Sequence, residues 1–288
     1  MSEISIILVL ISTIFHAIWN YIIKRSDHSE IVTFLLSFLG GIFVLPFAIY
    51  FLIHNPIPPI GWFYILLTII IHSFYFITLS RVYLFNELST GYPIARGTAI
   101  GLVPLLAIFI INESINLFSG IAILFIFLGV LSVGFGGINI KNINKAFSLK
   151  GFTYAIATGF FIALYSINDK KAMEYVHPVV FLFFVLSPSS ISIYLINIKN
   201  TSIKNITDVF KREYSSVIIG AMSTLGAYLL VLFALQTTQV SYVSPLREIG
   251  IVMGAIFGYI FLKEKIYKVK ILGILCIIIG AFMISVFS

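Results

Sequence analysis

The sequence has very little charge for its length and few polar stretches. Charged residues make up 10% of the 288 positions and hydrophobic residues 60%, whereas a water-soluble domain of this size needs far more charge to cover its surface. The longest polar connections, at about 138–150 and 199–214, are too short to hold a domain. No Gly-rich phosphate loop ending in Lys-Ser or Lys-Thr occurs, so the chain cannot be driven by ATP hydrolysis of its own.

Cysteine is almost absent as well. Cys276 is the only one, which excludes an intrachain disulfide and a Cys-based metal site. His16 and His72 show no spacing that demands a metal, and we expect neither a metal nor another cofactor. The net charge of +7 does not predict a nucleic-acid partner, because the basic residues occupy short connections and form no continuous face.

What the chain has in abundance is long hydrophobic stretches. Each approaches the 20 or so apolar residues that cross a bilayer. In lipid every backbone polar group must be satisfied within the chain, so such stretches must be helices. We therefore predict an all-α integral membrane protein, multi-pass in the cytoplasmic membrane, with ten transmembrane helices at 4–23, 31–53, 60–81, 91–111, 118–137, 151–169, 178–198, 215–236, 241–262 and 269–287.

The last five stretches repeat the pattern of the first five. Matched residues recur at a separation of about 150 positions: Asn20 with Asn168, Pro93 with Pro245, Glu113 with Glu264, and Gly129 with Gly280. Because each half holds an odd number of spans, the halves must run in opposite directions. We predict two inverted five-helix repeats, 1–140 and 141–288, an architecture typical of secondary transporters with a substrate site between the halves.

The loops differ sharply in positive charge. Fourteen of the eighteen Lys and Arg residues lie in the odd-numbered loops, and only Lys170 and Lys171 lie in the even-numbered ones. The positive-inside rule then places the odd loops in the cytoplasm and both termini outside.

Charged residues inside spans are the best functional candidates, since each costs about 2.5–3.5 kcal/mol at the bilayer centre on the insertion scale. Arg96 in span four is predicted to hold a substrate carboxylate or phosphate; snorkelling or a structural ion pair is the alternative. The repeat places Glu248 of span nine opposite Arg96, so the two are predicted to face one cavity and partly neutralise each other. The alternative is a polar collar of Arg247 and Glu248 near the membrane edge.

Other polar and aromatic side chains recur at helical spacing. They predict a cavity that combines aromatic faces with a few hydrogen-bonding groups, as small-molecule sites do. Interhelical hydrogen bonds or aromatic belts at the interface are the alternative for each one alone. The full candidate set for substrate binding is His16, Asn20, His72, Tyr75, Tyr92, Arg96, Tyr165, Asn168, Tyr228, Arg247 and Glu248.

Two further patterns concern packing. Small residues four apart predict close helix approach at Gly97 and Gly101 in span four, and at Gly250, Gly254 and Gly258 in span nine. Glu113 and Glu264 end their spans and are interpreted as interface charges or as caps of the next helix.

The chain resembles the drug/metabolite transporter superfamily, in particular its EamA-type ten-helix branch. The resemblance rests on 16–20 with Lys24, on 87–97, on Asn112-Glu113, and on Pro245 with Glu264. It implies an inverted five-plus-five repeat around a central cavity, and small metabolites or drugs as substrates. It also implies cytoplasmic termini, opposite to what the charge count predicts.

Together these patterns predict a secondary transporter, an exporter or exchanger, of small carboxylate-bearing or zwitterionic metabolites such as amino acids. An exporter of hydrophobic amines or drugs is the first alternative, and a passive pore or a membrane receptor or scaffold is the second. No HExxH, GxSxG or paired intramembrane Asp supports an enzyme. A homodimer is compatible with the sequence but nothing requires it.

Overall fold

The computed structural model describes residues 1–85, 88–135, 149–198, 201–262 and 267–288. All regular secondary structure in this part of the chain is helical, and ten of the helical stretches are long and apolar enough to cross a membrane. The predicted all-α fold with ten spans is confirmed. The predicted division at 140/141 lies outside the described residues, and the two repeats remain a prediction.

The helices follow one another with short connections. The first half contains α1 (Glu3–Arg25), α2 (Ser29–His54), α3 (Pro59–Phe85), α4 (Leu88–Ile111) and α5 (Leu117–Phe135). The second half contains α6 (Leu149–Ala172), α7 (Pro178–Ile193, extended by a π-helical turn Tyr194–Ile198), α8 (Ile203–Thr237), α9 (Val240–Leu246), α10 (Ile249–Leu262) and α11 (Lys268–Phe287).

The ninth span differs from the continuous helix predicted at 241–262. It is divided into α9 and α10 by a turn at Arg247 and Glu248. The physical reason is Pro245, which has no N–H to donate and crowds the carbonyl one turn earlier. The chain responds with tight i→i+3 bonds, from Glu248 N to Pro245 O (3.0 Å) and from Gly250 N to Arg247 O (3.0 Å). The break places two charged side chains at a helix junction inside the membrane span.

The helices of each half pack mainly against helices of the other half. Helix α1 lies against α8, α3 against α6, α2 against α7, and α5 against α11. A repeat offset of five spans would exchange the first two of these pairs and map the last two onto themselves. This pattern of helix contacts is the one expected of two related halves.

Helices α5 and α11 approach each other closely, backbone against backbone. A Cβ built on Gly129 would lie 2.7 Å from the carbonyl oxygen of Gly273, and one on Gly280 would lie 2.6 Å from that of Ala122. The two contacts exchange under an offset of 151 residues. The helices are antiparallel, since the Asn116 amide before α5 donates to Phe287 O at the end of α11 (2.6 Å).

The predicted glycine faces of spans four and nine are only partly correct. A Cβ on Gly97 would meet Leu131 at 2.9 Å, and one on Gly250 would meet the ring of His16 at 3.4 Å. Gly101 and Gly254, each four positions further along, differ. A Cβ added to either of them would lie in open space, so neither faces a neighbouring backbone. The surroundings of Gly258 are outside what the structure describes.

Glu113 acts as a helix cap, but for a different helix than predicted. Its carboxylate accepts hydrogen bonds from the backbone N–H groups of Val240 (2.8 Å) and Ser241 (3.0 Å) and from the Ser241 hydroxyl (2.6 Å). It therefore caps α9 of the opposite half and not the next helix α5. Asn112, with a left-handed φ of 55°, turns the chain so that Glu113 faces α9. Glu264, its counterpart in the sequence, lies outside the described residues.

The two ends of the chain lie together. The amino group of Met1 donates to the backbone oxygen of Ser288 at 2.7 Å. Both termini are therefore at the same end of the helix bundle, as an even number of spans requires. Which side of the membrane they face remains a prediction.

Replacing Gly129 with alanine tests the α5–α11 contact. The added methyl group would press on backbone atoms of α11, which cannot move as a flexible side chain can, so we expect a loss of about 1–3 kcal/mol of stability. Thermal unfolding of the purified protein in detergent measures it. Gly101→Ala is the matched control, since open space surrounds that position and we expect its melting temperature to stay unchanged or rise. Equal melting temperatures for the two variants would contradict the assignment.

Candidate functional site

An ion pair joins the two halves at the centre of the candidate site. Arg96 of α4 places Nη2 2.6 Å from Oε1 of Glu248, and its Nε donates to Oε2 at 3.1 Å. The contact is thus bidentate, and the side chains are only 12% and 4% exposed. The predicted pairing of Arg96 with Glu248 is confirmed. The alternative, a collar of Arg247 and Glu248 at the membrane edge, is wrong because the Glu248 carboxylate is turned inward to a partner on the other half.

A small cavity lies beside this ion pair. Its walls come from α1, α4, α8 and the junction of α9 and α10, and the lining residues are Ser12, Thr13, His16, Arg96, Ala227 and Arg247. The cavity holds on the order of one water molecule. A metabolite can be admitted only if the surrounding helices separate.

Arg247 is the cation in this cavity that has no carboxylate partner in the described part of the chain. The ion pairs there are Arg96 with Glu248 and Lys171 with Glu174. The Arg247 guanidinium instead lies over the ring of Tyr228, 5.9 Å from its centroid, an arrangement in which the ring face attracts the cation. The sequence favoured Arg96 as the anion-binding residue. In the structure Glu248 already occupies Arg96, and Arg247 is the guanidinium that could accept an anion.

A second polar cluster lies next to Tyr228 and contains a carboxylate. The Thr68 hydroxyl donates to Oδ1 of Asp169 (3.2 Å), and the Tyr228 hydroxyl donates to Oδ2. His72 contacts the Thr68 hydroxyl through Nδ1 (3.0 Å) and the Tyr228 hydroxyl through Nε2 (3.4 Å). Thr68, His72 and Asp169 are all buried. We call these four residues the Asp169 cluster.

Asp169 was missed as a site residue. The predicted span ended at this position, whereas α6 continues to Ala172 and leaves Asp169 only 2% exposed. Its sequence does carry a usable indication, since a carboxylate one helical turn after Tyr165 falls on the same helix face.

The other predicted residues divide between the two groups. The ring of Tyr165 stacks on His72 with centroids 4.5 Å apart, and Tyr75 meets Tyr165 at 5.6 Å. His16 lines the cavity and contacts Trp19 edge to face at 4.8 Å. His16 thus borders the cavity, whereas the rings of Tyr75 and Tyr165 pack against His72 of the Asp169 cluster. That aromatic side chains line a substrate cavity remains a prediction.

Two predicted residues make contacts of another kind. The Asn20 amide donates to the His16 carbonyl of its own helix (2.7 Å), and Asn20 is not among the residues that line the cavity. The Asn168 amide donates to the Tyr64 carbonyl (3.1 Å) and ties α6 to α3. The Tyr92 side chain lies outside the described residues. Substrate contact by any member of the candidate set remains a prediction.

Comparison with known proteins gives a consistent class. Residues 149–286 match the EamA-like transporter family. A curated protein from Sinorhizobium sp, described as "Uncharacterized transporter in cobO 3'region", is 34% identical over 76 residues, which are 26% of this chain. The matched stretch spans 54% of that relative, about half its length.

Structural comparison agrees on the fold. A solved crystal structure of another protein is similar with a TM-score of 0.73 and covers 98% of this chain and 95% of its own, at 15% sequence identity. At this identity the likeness concerns the fold alone. The ten apolar helices define a multi-pass membrane protein, and residues 149–286 of it are similar to EamA-like transporters.

Removing one partner of the Arg96–Glu248 pair should destabilise the protein strongly. A buried charge left without its partner costs about 3–5 kcal/mol, so Arg96→Gln and Glu248→Gln should each lower the melting temperature in detergent. The double variant should recover much of that loss, because no unpaired charge is left. Lys171→Gln, which breaks the exposed pair with Glu174, is the control and should change little. Additive losses in the double variant would contradict a direct interaction.

Proposed function

We propose that this protein is a secondary transporter of small organic metabolites that carry a carboxylate, including zwitterions such as amino acids. It would lie in the cytoplasmic membrane and work by alternating access, as an exporter or an exchanger. The observation that carries the proposal is Arg247, an intramembrane guanidinium that lines a cavity between the halves and has no carboxylate partner among the described residues.

The chemistry of Arg247 determines the substrate class. A guanidinium in a low-dielectric environment is stabilised by an anion, and its planar N–H groups match the two oxygens of a carboxylate. The neighbouring Arg96 adds no competing free charge because Glu248 neutralises it. The same cavity is lined by polar side chains that can contact such a group, namely Ser12, Thr13 and His16.

The small size of this cavity favours a carrier. Space for about one water molecule is too little for a metabolite. A carrier of this kind would open on one side at a time by rocking one half against the other. The division of the ninth span at Arg247 gives the polar residues a position at a helix break, as in other transporters with discontinuous helices.

The alternative substrate class, hydrophobic amines, is less favoured by the charges. Both side chains that carry charge into the cavity are arginines, and the nearest carboxylate, Glu248, is occupied by one of them. A cationic substrate would be repelled by Arg247. The comparisons favour a transporter and not an enzyme, and a homodimer remains a prediction.

Solute counterflow into proteoliposomes tests the proposal. Vesicles loaded with one unlabelled amino acid or organic acid at a time should accumulate the same labelled solute, with saturation. We expect Arg247→Gln to reduce the initial rate at least about tenfold, since removing one member of a desolvated charge pair costs 2–5 kcal/mol. Arg247→Lys should retain part of the rate because the positive charge remains.

Lys171→Gln, exposed and remote from the cavity, is the control and should transport normally. Undiminished counterflow in Arg247→Gln would contradict the role of this residue. Saturable uptake of a hydrophobic cation, with no uptake of any carboxylate, would replace the substrate class.

A further inference from the structure

The Asp169 cluster has more hydrogen-bonding atoms than its ordinary protons can satisfy. His72 Nδ1 lies 3.0 Å from the Thr68 carbonyl oxygen, and because a carbonyl can only accept, we assign the proton of the neutral ring to Nδ1. The Tyr228 hydroxyl has a single proton, yet it faces both Asp169 Oδ2 and His72 Nε2. With an ionised Asp169 and a neutral His72, one of these two contacts has no hydrogen in it.

One additional proton completes the network in either of two arrangements. If His72 is an imidazolium, Nε2–H donates to the Tyr228 oxygen, and Tyr228 donates to the Asp169 carboxylate. If Asp169 is protonated, its O–H donates to the Tyr228 oxygen, and Tyr228 donates to Nε2. The two arrangements hold the same number of protons. They interconvert when one proton passes from Nε2 to the tyrosine oxygen while the tyrosine proton passes to Oδ2, and the hydroxyl stays neutral.

The surroundings also favour a bound proton. Asp169 is 2% exposed and His72 is 5% exposed, and a buried carboxylate that has hydrogen-bond donors but no cationic partner is still costly to ionise. No Lys or Arg within the described ranges lies at ion-pair distance from Asp169. The adjacent Lys170 directs its ammonium group to the Leu235 carbonyl (2.7 Å).

We propose that Asp169, Tyr228 and His72 form a proton-binding site that holds one exchangeable proton, shared through the Tyr228 hydroxyl. The proton comes from water that reaches the cavity and returns to water when it leaves. Thr68 holds Asp169 and the His72 ring in register by bonding to both.

The site is linked to the cavity through Arg247. Its guanidinium lies over the ring of Tyr228, and the hydroxyl of that tyrosine contacts both Asp169 and His72. Among the residues that the structure describes, the rings of Tyr75 and Tyr165 also face the cluster, and the Arg96–Glu248 ion pair adjoins the cavity that Arg247 lines. Tyr75 and Tyr165 are neutral and the ion pair has no net charge, which leaves Arg247 as the net charge that can influence the proton.

This link gives the direction of coupling, and here the inference rests on the proposed function. A positive Arg247 opposes the extra proton. A substrate carboxylate bound to Arg247 would cancel that opposition, so anion and proton would bind together. Binding of the anion and the proton together predicts symport, in which the proton and the carboxylate move in the same direction. It does not predict antiport, in which one is exchanged for the other.

Infrared difference spectroscopy of the full chain in lipid nanodiscs tests the proton site without any solute. The C=O stretch of a protonated carboxyl and the ring bands of histidine report where the proton resides as the pH is changed. We expect a step of one proton between about pH 5 and 9. Asp169→Asn, His72→Gln and Tyr228→Phe should each abolish this step or move its midpoint, because all three residues share the proton.

Arg247→Gln should move the midpoint upward by about 1 pH unit, since it removes a nearby positive charge. Glu174→Gln alters an exposed carboxylate and is the control that should leave the step unchanged. Thermal unfolding verifies that each variant is folded, and Tyr228→Phe, which deletes a single oxygen atom, serves where Asp169→Asn does not fold.

Absence of a step in this range overturns the proposal, as does a midpoint that is the same in the wild type and in any of the three variants. The titration does not depend on transport. Counterflow that requires Arg247 without a proton step would retain the proposed function and remove this inference, and a proton step without counterflow would do the reverse.

Discussion

A charged group inside a bilayer must be neutralised, and the arrangement of this protein follows from how its few intramembrane charges meet that requirement. The Arg96–Glu248 pair is the central case. Its two members come from helices in opposite halves and bind each other in a bidentate contact. Because each would be costly alone, the pair holds the halves together at a point where the chain is divided between α9 and α10.

The pair also determines what the neighbouring charges can do. With Arg96 neutralised, Arg247 is the cation of the cavity that has no carboxylate partner among the residues the structure describes. Its position over Tyr228 connects the cavity to the Asp169 cluster. The same break that follows Pro245 positions both Arg247 and Glu248, one toward the cavity and one toward Arg96. A structural ion pair and a candidate binding residue thus arise from adjacent positions in the chain.

The helix packing around this ion pair also depends on a small number of close contacts. Lipid offers no hydrophobic driving force between helices, so close approach of backbones and satisfied polar groups must hold them. The α5–α11 contact at Gly129 and Gly273 supplies the first, and the Glu113 cap on α9 supplies the second. Both contacts join opposite halves, and the main hydrophobic clusters in the described part of the chain likewise combine residues of both halves.

The sequence by itself determined the class of fold, because ten apolar stretches of sufficient length have no other stable form in lipid than helices. It also predicted that Arg96 would meet Glu248, since the offset of the repeat places them at equivalent positions. Tertiary structure decided the rest. Whether Glu113 caps α5 or α9, whether Gly101 or Gly129 faces a neighbour, and whether Arg96 or Arg247 is left free depend on which helices adjoin in space. Asp169 shows the same limit: its span ends near it in the sequence, but only the packing of α3, α6 and α8 encloses it beside His72 and Tyr228.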